Sequence, residues 1–382
     1  MEIIIAPDSY KGSLSAIEVC NIIEAAIYKV MPNAKTKKIP VSDGGDGMLS
    51  ALIQGNGGDL TRLSVHDPLD RPIQAEYGIV NNDIAVIEMA AASGLTLIKE
   101  IERNPLKTTT FGTGQMIYDA VVQQGLKKVI LGLGGSATND GGLGLAAALG
   151  VRFLDENNQM VQPYASNFAK IKKYDLSFLN PRLFEVDFLI ACDVSNPLCG
   201  ENGAATIYGP QKGASANMVT ELDQGLKHLC GLFEKNTKKS LINMPGLGAA
   251  GGTALPLLAL FNAQIQSGLE IILDAIDFDQ QIRGADLIIT GEGKTDCQSL
   301  MGKVVSGVGK RAKKLGIPAI IISGALEPGY ETLYDQGIVA AFDTCINTLG
   351  LDWQMQNAAK LLENQVENLM KLGLLCDIKA YN

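Results

Sequence analysis

The sequence lacks several features that common classes of protein require. Aromatic residues make up 5% of its 382 residues, tryptophan occurs once and histidine twice. The seven cysteines are odd in number and no two stand in a C-x-x-C spacing, which argues against both a disulfide framework and a zinc site. We therefore expect free thiols in a reducing compartment and a chemistry that does not use a histidine base.

An excess of positive charge and a long apolar segment are also missing. The formal net charge is -9, which disfavours a surface that binds nucleic acid or anionic lipid. The apolar run Ile3 to Ala6 is too short for a secretory signal, and the apolar segment Gly246 to Phe261 is interrupted by Thr253 and Pro256. The sequence predicts a cytoplasmic protein with neither a nucleic-acid nor a membrane partner.

The composition that is present indicates an α/β protein. Hydrophobic residues make up 46% of the chain, and with few aromatics the core must consist of Ile, Leu, Val and Ala, as in parallel sheets covered by helices. A chain of 382 residues is too long for one ordinary core. We therefore expect two α/β domains around a cleft.

The first residues predict a strand, a helix and a second strand. Ile3 to Ala6 is a short apolar run that ends in a polar loop. Ser15 stands three residues before Glu18, which is a capping box, and Pro32 ends the apolar periodicity that follows. Lys37 to Val41 is the second predicted strand. This order favours a parallel sheet.

The pattern changes in the middle of the chain and returns near its end. Leu60 to Glu88 contains short runs typical of hairpin strands, whereas Asp286 to Thr290 and Ala319 to Ser323 are again buried strands followed by glycine. We predict a doubly wound domain with a parallel sheet of the flavodoxin or Rossmann type, and an inserted α/β domain with a mixed sheet. The predicted boundaries are residues 1–60 with 270–382 for the first domain and residues 61–269 for the second.

Polar loops follow four of the predicted strands, where parallel sheets place reactive groups. These loops are Pro7 to Ser13, Gly134 to Gly142, Cys192 to Leu198 and Gly291 to Asp296. Together with Val41 to Gly47 and Gly209 to Gly213, they resemble the motifs of the bacterial glycerate kinase family, type I, in the same order and over nearly the whole chain. Tyr10 stands where phenylalanine is expected, and Asp46 where glutamate is expected.

The resemblance implies an enzyme that transfers the γ-phosphate of ATP to D-glycerate with Mg²⁺. It favours the 2-hydroxyl as the acceptor, leaves the 3-hydroxyl open, and leaves a homodimer open. The sequence contains no Gly-x-x-x-x-Gly-Lys-Ser/Thr motif, so ATP would not be held by a Walker loop.

The glycine-rich loop is the candidate nucleotide-phosphate site. Its residues are Gly134, Gly135, Ser136, Ala137, Thr138 and Asn139. Glycines let backbone N–H groups approach an anion, and we expect the following helix to point its positive end at it. The three polar side chains of the loop can add hydrogen bonds. The alternative is a tight turn in which Ser or Thr caps a helix.

Two lysines are candidate substrate-binding residues. Lys11 follows Asp8 and Ser9 in the first loop, and its charge could neutralise the glycerate carboxylate or the migrating phosphoryl group. We therefore interpret Asp8, Ser9 and Lys11 as substrate-binding, and Lys11 also as catalytic. Lys212 is likewise interpreted as substrate-binding. For each lysine the alternative is an exposed residue in a turn.

Three carboxylates are candidate magnesium ligands, namely Asp193, Glu292 and Asp296. Asp193 is the first charged residue after the predicted strand Phe188 to Cys192, and such a carboxylate can hold Mg²⁺ or accept the proton of the substrate hydroxyl. The sequence leaves open which carboxylate is the base, and a turn or helix cap is the alternative for each. Asp43 and Asp46, beside glycines, fit ordinary turns.

An NAD(P)-dependent oxidoreductase is the rival function. Gly132-x-Gly134-x-x-Ala137 follows a predicted strand, and Asp155 ends the next one at about the distance of a dinucleotide fingerprint. However, Gly246-x-Gly248-x-x-Gly251 also matches without a preceding strand, in a chain with 42 glycines. The kinase therefore ranks above the oxidoreductase. A non-catalytic two-lobed binding protein is the third alternative, and ATP turnover would exclude it.

Overall fold

The computed structural model describes residues 1–42, 48–49, 52–53, 57–296, 299, 303–346 and 348–380, with the backbone alone for residues 375–380. The predicted turn with Asp43 and Asp46 lies outside the described residues, as does Cys297. The chain forms two compact units, one from Met1–Asp43 with Ile272–Asn382 and the other from Gly44–Ile271. The predicted domain boundaries stay a prediction.

The described strands and helices are numbered in chain order. The strands are β1 (Glu2–Ile5), β2 (Lys35–Lys38), β3 (Gly58–His66), β4 (Pro72–Val80), β5 (Ile84–Glu88), β6 (Lys128–Gly132), β7 (Arg152–Leu154), β8 (Lys173–Asp175), β9 (Asp187–Ala191), β10 (Asn262–Gln266), β11 (Leu287–Thr290), β12 (Lys294–Thr295), β13 (Ala319–Ser323), β14 (Ala325–Leu326) and β15 (Ile338–Asp343). The helices are α1 (Ala16–Val30), α2 (Ala90–Ser93), α3 (Phe111–Tyr118), α4 (Leu143–Ala148), α5 (Ala204–Tyr208), α6 (Ala216–Thr237), α7 (Leu255–Leu260), α8 (Gly268–Ala275), α9 (Phe278–Gln281), α10 (Val304–Leu315), α11 (Leu351–Gln356) and α12 (Ala358–Ala380). Of the helices described, none is both long and apolar enough to span a bilayer.

The first unit contains the predicted parallel sheet. Its strand order is β15-β13-β11-β1-β2, and every neighbouring pair is parallel. The side chains of β1 pack with α1 and α12 in a core of aliphatic residues that includes Ile3, Ile23 and Val366. The chain leaves β1 toward β2 on one side and later returns to β11 on the other. A topological switch point therefore lies between β1 and β11.

Helix α1 begins where the sequence predicts. Ser15 accepts a hydrogen bond from the backbone N–H of Glu18, and the Glu18 side chain accepts one from the Ser15 N–H. This capping box is confirmed, and it satisfies two backbone donors at the helix start.

The second unit contains the predicted mixed sheet, in the order β10-β9-β6-β5-β4-β3. Strands β5, β6, β9 and β10 are parallel to one another, whereas β3 and β4 form an antiparallel hairpin that joins β5. The carboxyl ends of the four parallel strands therefore meet at one edge, where α/β sheets bind ligands. The predicted α/β fold with one parallel and one mixed sheet is confirmed.

Candidate active site

In the first unit, the loops after β1 and β11 meet at the switch point. The Asp8 N–H donates to the Gly291 carbonyl at 2.8 Å, and the Ser9 N–H donates to Asp8 Oδ1 at 2.6 Å. A side chain at Gly291 would overlap the Ile322 carbonyl oxygen, so the close approach of β11 to β13 requires glycine. The structure thus brings the loop of Asp8, Ser9 and the exposed Lys11 beside the loop of Glu292.

Glu292 is the centre of a buried polar network. Its Oε1 accepts hydrogen bonds from Ser299 Oγ at 2.6 Å and Thr295 Oγ1 at 3.1 Å. Thr295 Oγ1 is also 2.8 Å from Ser323 Oγ. Burial raises the pKa of the Glu292 carboxyl, and the hydrogen bond from Ser299 opposes that shift. The network fixes the orientation of the carboxyl group.

Asp296 lies in the same loop and pairs with lysines. Lys294 Nζ is 3.2 Å from Asp296 Oδ2. Lys303 Nζ is 3.7 Å from Glu292 Oε2 and 3.9 Å from Asp296 Oδ1. The side chains of Glu292 and Asp296 are only 10% and 12% exposed. The carboxylates of Glu292 and Asp296 and the ammonium group of Lys303 therefore form one cluster at the switch point.

In the second unit, the glycine-rich loop follows β6. Gly135 has a φ of +69°, and its carbonyl accepts a hydrogen bond from the Leu95 N–H, while the Ala137 N–H donates to the Ser93 carbonyl. Gly134 and Gly135 are exposed, and in the part of the chain that the structure describes their N–H groups donate to no protein acceptor. An anion can therefore approach these two N–H groups.

Lys212 supports this loop from the inside. It is 2% exposed, and its Nζ donates to Ser136 Oγ at 2.8 Å and to the Thr138 carbonyl at 2.7 Å. Burial lowers the pKa of Lys212 to about 7, and the charge of Asp140 opposes this shift. The alternative of an exposed turn lysine is therefore wrong for Lys212. The structure brings together Lys212 and the loop residues that the sequence singled out.

Thr138 and Asn139 carry polar atoms that are buried without a partner. Both residues are fully buried. Across the described residues, Thr138 Oγ1, Asn139 Nδ2 and Asn139 Oδ1 find no hydrogen-bond partner. Each such group costs roughly 1–3 kcal/mol. A bound polar group that reached these atoms would remove that cost.

Asp140 occupies the start of α4. Its carboxylate accepts from the backbone N–H groups of Gly142 at 3.1 Å and Gly144 at 3.1 Å. It also accepts from the N–H and the hydroxyl of Thr110, each at 2.8 Å. The expectation that this helix points its positive end at a ligand is therefore wrong, because the protein's own carboxylate sits there and the helix has only six residues. Asp140 instead joins the glycine-rich loop to the segment before α3.

Asp193 follows β9, the strand next to β6, so its loop and the glycine-rich loop lie at the same edge of the mixed sheet. Its Oδ1 accepts from Ser267 Oγ at 2.8 Å and from the Gly268 N–H at 3.0 Å, at the start of α8. The carboxylate is thus oriented by the neighbouring loop while the residue stays exposed. Its catalytic and metal-binding roles stay predictions.

The structure does not form the strand-turn-helix unit that a dinucleotide-binding fingerprint requires. A nucleotide-binding fingerprint needs a helix that opens within the glycine motif, whereas α4 begins at Leu143, well after Ala137. Asp155 follows β7, which pairs with β8 in a two-stranded sheet separate from the mixed sheet. Asp155 accepts from the N–H groups of Asn157 and Gln159, as in a turn. The oxidoreductase alternative is therefore unsupported.

Sequence reasoning missed three residues of these two clusters. Ser299 and Lys303 complete the Glu292 network, and Asp140 holds the glycine-rich loop. Lys303 had one signal, because it directly precedes Val304 to Leu315, whose pattern predicts a basic helix, and lysine is an unusual helix cap. Asp140 stands in the loop Gly134 to Gly142 that carries the resemblance, but its role was not readable from the sequence, since its partner Thr110 lies 30 residues away.

Comparison with known proteins gives a consistent result. A family model described as "Glycerate kinase family" matches residues 3–374. The chain is 43% identical over 96% of its length to a glycerate kinase of Halalkalibacterium halodurans, covering 97% of that protein. It is 43% identical over 91% of its length to the glycerate 2-kinase of Escherichia coli K12, covering 92%. A crystal structure from Salmonella typhimurium LT2, of a protein described as a glycerate kinase 2, superposes with a TM-score of 0.88 at 38% identity, covering 99% of each chain.

Proposed function

The chain belongs to the glycerate kinase family, and from that premise we propose that it phosphorylates D-glycerate with ATP and releases 2-phosphoglycerate. The enzyme class follows from the family and from relatives that match over almost the whole chain. The 2-position rests on the Escherichia coli relative, which is named a glycerate 2-kinase. We place the reaction in the cytoplasm, as the composition predicts.

The glycine-rich loop is the observation that carries the proposal. Phosphoryl transfer requires that phosphate oxygens be held and their charge neutralised, with little covalent chemistry from the protein. Gly134 and Gly135 are exposed, and among the described residues their N–H groups have no protein acceptor; Ser136 is fixed by Lys212. The unsatisfied atoms of Thr138 and Asn139 add further donors and an acceptor. These residues fit the phosphates of ATP.

The loops at the switch point of the first unit supply the remaining charges. Lys11 is an exposed cation on the loop after β1, and we assign it to the glycerate carboxylate or the transferring phosphoryl group. Asp8 and Ser9 precede it, with the Ser9 N–H fixed on Asp8 Oδ1, and we assign them to substrate binding. The backbone of Asp8 is held against the loop after β11 by its hydrogen bond to the Gly291 carbonyl.

The carboxylates present fit Mg²⁺. Among the described residues no three of His, Cys, Asp and Glu lie close enough together to hold a metal ion, but Mg²⁺ is commonly bound by one or two carboxylates with water and substrate phosphates. Glu292 and Asp296 would be those carboxylates, and we keep Asp193 as a further candidate ligand. Bound Mg²⁺ supplies charge neutralisation of the phosphates.

Asp193 is our candidate base. A base must lie within hydrogen-bonding reach of the substrate hydroxyl and hold one orientation. Ser267 and Gly268 fix the Asp193 carboxylate through Oδ1. Asp193 therefore combines an exposed position at the ligand-binding edge of the sheet with a defined orientation.

Phosphorus NMR tests both the activity and its position. Purified protein is incubated with ATP, MgCl₂ and D-glycerate, and the product is observed with proton coupling. Phosphate on the 2-hydroxyl couples to one carbon-bound proton and gives a doublet, whereas phosphate on the 3-hydroxyl couples to two and gives a triplet. We expect the doublet. A triplet would refute the 2-position alone, and unconsumed ATP would refute the kinase.

A further inference from the structure

Lys303 stands at the start of helix α10, a position where the helix itself disfavours a lysine. It immediately precedes α10 with an extended backbone (φ -83°, ψ 158°), and its side chain makes no capping hydrogen bond. Ser, Thr, Asp and Asn are usual at this position, because their oxygens accept from the first N–H groups of the helix. The positive end of a helix also repels an ammonium group. Helix formation therefore does not explain the lysine.

Two carboxylates hold the ammonium group in place. Nζ is 3.7 Å from Glu292 Oε2 and 3.9 Å from Asp296 Oδ1. Both distances exceed hydrogen-bonding range, so the attraction is electrostatic. Lys303 is 29% exposed, whereas the Glu292 side chain is 10% exposed. A ligand can therefore reach the ammonium group while the carboxylates stay largely covered.

The Lys303 ammonium lies at the topological switch point of the parallel sheet. Glu292 follows β11, and the backbone before it is bonded to Asp8, which follows β1. Ligands of open α/β sheets bind in the crevice between such loops. Ser299 and Thr295 fix Glu292 through its Oε1, which leaves Oε2 as the oxygen nearest Lys303. The position of the lysine is thus set by a buried network and not by a surface ion pair.

We propose that Lys303 is a further substrate-binding residue of the kinase, whose ammonium group binds an oxyanion of a substrate. The inference rests on the proposed function. An ammonium group has three donors, and charge-assisted bonds to phosphate or carboxylate oxygens are among the strongest in proteins. The oxyanion belongs either to the phosphates of ATP or to the carboxylate of glycerate, and the two are separable by experiment.

Lys294 provides a matched control. It carries the same charge and pairs with the same Asp296, at 3.2 Å, but it is 52% exposed and its second partner is the exposed Glu327. Lys303→Met and Lys294→Met therefore remove the same charge from the same cluster. Lys303→Arg keeps the charge and tests rescue.

The experiment measures kcat, the KM of each substrate, and the separate binding of ATP and of D-glycerate by calorimetry. We expect Lys303→Met to lower kcat/KM by about a hundredfold or more, as when a charged or polar donor of a reaction site is removed. Lys303→Arg should recover part of the loss. Lys294→Met should stay within about fivefold of the wild type, since exposed ion pairs contribute little. If Lys303→Met weakens the binding of ATP alone, the ligand of Lys303 is the phosphates of ATP. If it weakens the binding of glycerate alone, the ligand is the glycerate carboxylate.

Two outcomes would overturn the assignment. One is that Lys303→Met binds both substrates as the wild type does and keeps its kcat/KM. The other is an equal loss in the two methionine variants, which would show that only the charge balance of the cluster matters. If the wild type shows no glycerate-dependent turnover, the proposed function fails. The role of Lys303 in binding an oxyanion is then tested separately, by measuring the binding of ATP and of inorganic phosphate. Equal binding by wild type and Lys303→Met, or none by the wild type, refutes the lysine's role.

Discussion

Asp193 has two possible roles at the scale of a single residue, as a base and as a helix cap. The structure supports the second directly, because Oδ1 accepts from Ser267 Oγ and from the Gly268 N–H at the start of α8. The first follows from its place after β9, at the carboxyl edge of parallel strands. The two roles are compatible, since a base needs a fixed orientation.

We predict that Asp193→Asn lowers kcat by roughly 10²–10⁴-fold, the usual contribution of a general base. Asparagine keeps the shape and can still accept from Gly268, so the free energy of unfolding should change by only about 1 kcal/mol. Ser267→Ala is the control, because it removes one hydrogen bond of the cap and leaves the carboxylate. Steady-state kinetics and urea unfolding are measured on both variants. A near-normal kcat in Asp193→Asn would show that Asp193 is a helix cap and not the base.

Lys212 gives a prediction about pH. Burial lowers its pKa to about 7 in the folded protein, while an unfolded lysine titrates near 10.4. Between these values the unfolded chain binds more protons than the folded one, so the contribution of Lys212 to stability rises with pH. Below about pH 7 both forms are protonated and the contribution is constant.

The measurement is the free energy of unfolding of the wild type minus that of Lys212→Met, obtained with urea from pH 6 to 9.5. We expect this difference to be flat at first and then to rise by at most about 1.4 kcal/mol per pH unit. Subtraction removes the titration of all groups that the two proteins share. A difference that falls with rising pH, or that does not change, would contradict the burial of a charged group.

At the scale of elements, the glycine-rich loop can be tested with two glycines of the same conformation. Gly135 has φ +69° and Gly125 has φ +74°. Alanine at either position pays the left-handed penalty of about 1–2 kcal/mol. A Cβ at Gly125 would meet nothing within 4 Å, whereas a Cβ at Gly135 would lie 3.2 Å from Ala90 Cβ.

We expect Gly135→Ala to raise the KM for ATP clearly, because it alters the loop that presents backbone N–H groups to the phosphates. Gly125→Ala should lose similar stability and keep its KM. Both variants are compared by urea unfolding and by steady-state kinetics with ATP varied. Equal KM values for ATP in the two variants would show that the loop does not bind the nucleotide.

The elements also show what the sequence can and cannot predict. Ile3 to Ala6, the capping box of α1 and the hairpin before Glu88 were predictable, because strand and helix signals are local. The glycine-rich loop was recognisable in the sequence, but the side chains that hold it in place were not. Lys212 reaches Ser136 across 76 residues of sequence, and Thr110 reaches Asp140 across 30. Only the fold brings such pairs together.

At the scale of the whole molecule, the net charge of -9 bears on both substrates. ATP and glycerate are anions, so the average field of the protein repels them. Local groups must reverse this repulsion, and those that we assign are Lys11, Lys303, the N–H groups of Gly134 and Gly135, and a metal ion at Glu292 and Asp296. None of these needs a basic surface, which agrees with a composition that disfavours nucleic-acid binding.

The last prediction is that ATP is consumed only when a divalent metal and glycerate are both present. The metal is required because the charge on the transferring phosphoryl group must be neutralised, and Glu292 and Asp296 are the carboxylates that would hold the ion. Glycerate is required because water lacks the carboxylate that Lys11 would orient. ADP release is measured with each component omitted, then with a chelator followed by excess Mg²⁺, which should restore the rate. Glycerol, which has the hydroxyls without the carboxylate, is the control acceptor. Turnover that survives chelation would contradict the metal's role, and glycerol used as well as glycerate would contradict recognition of the carboxylate.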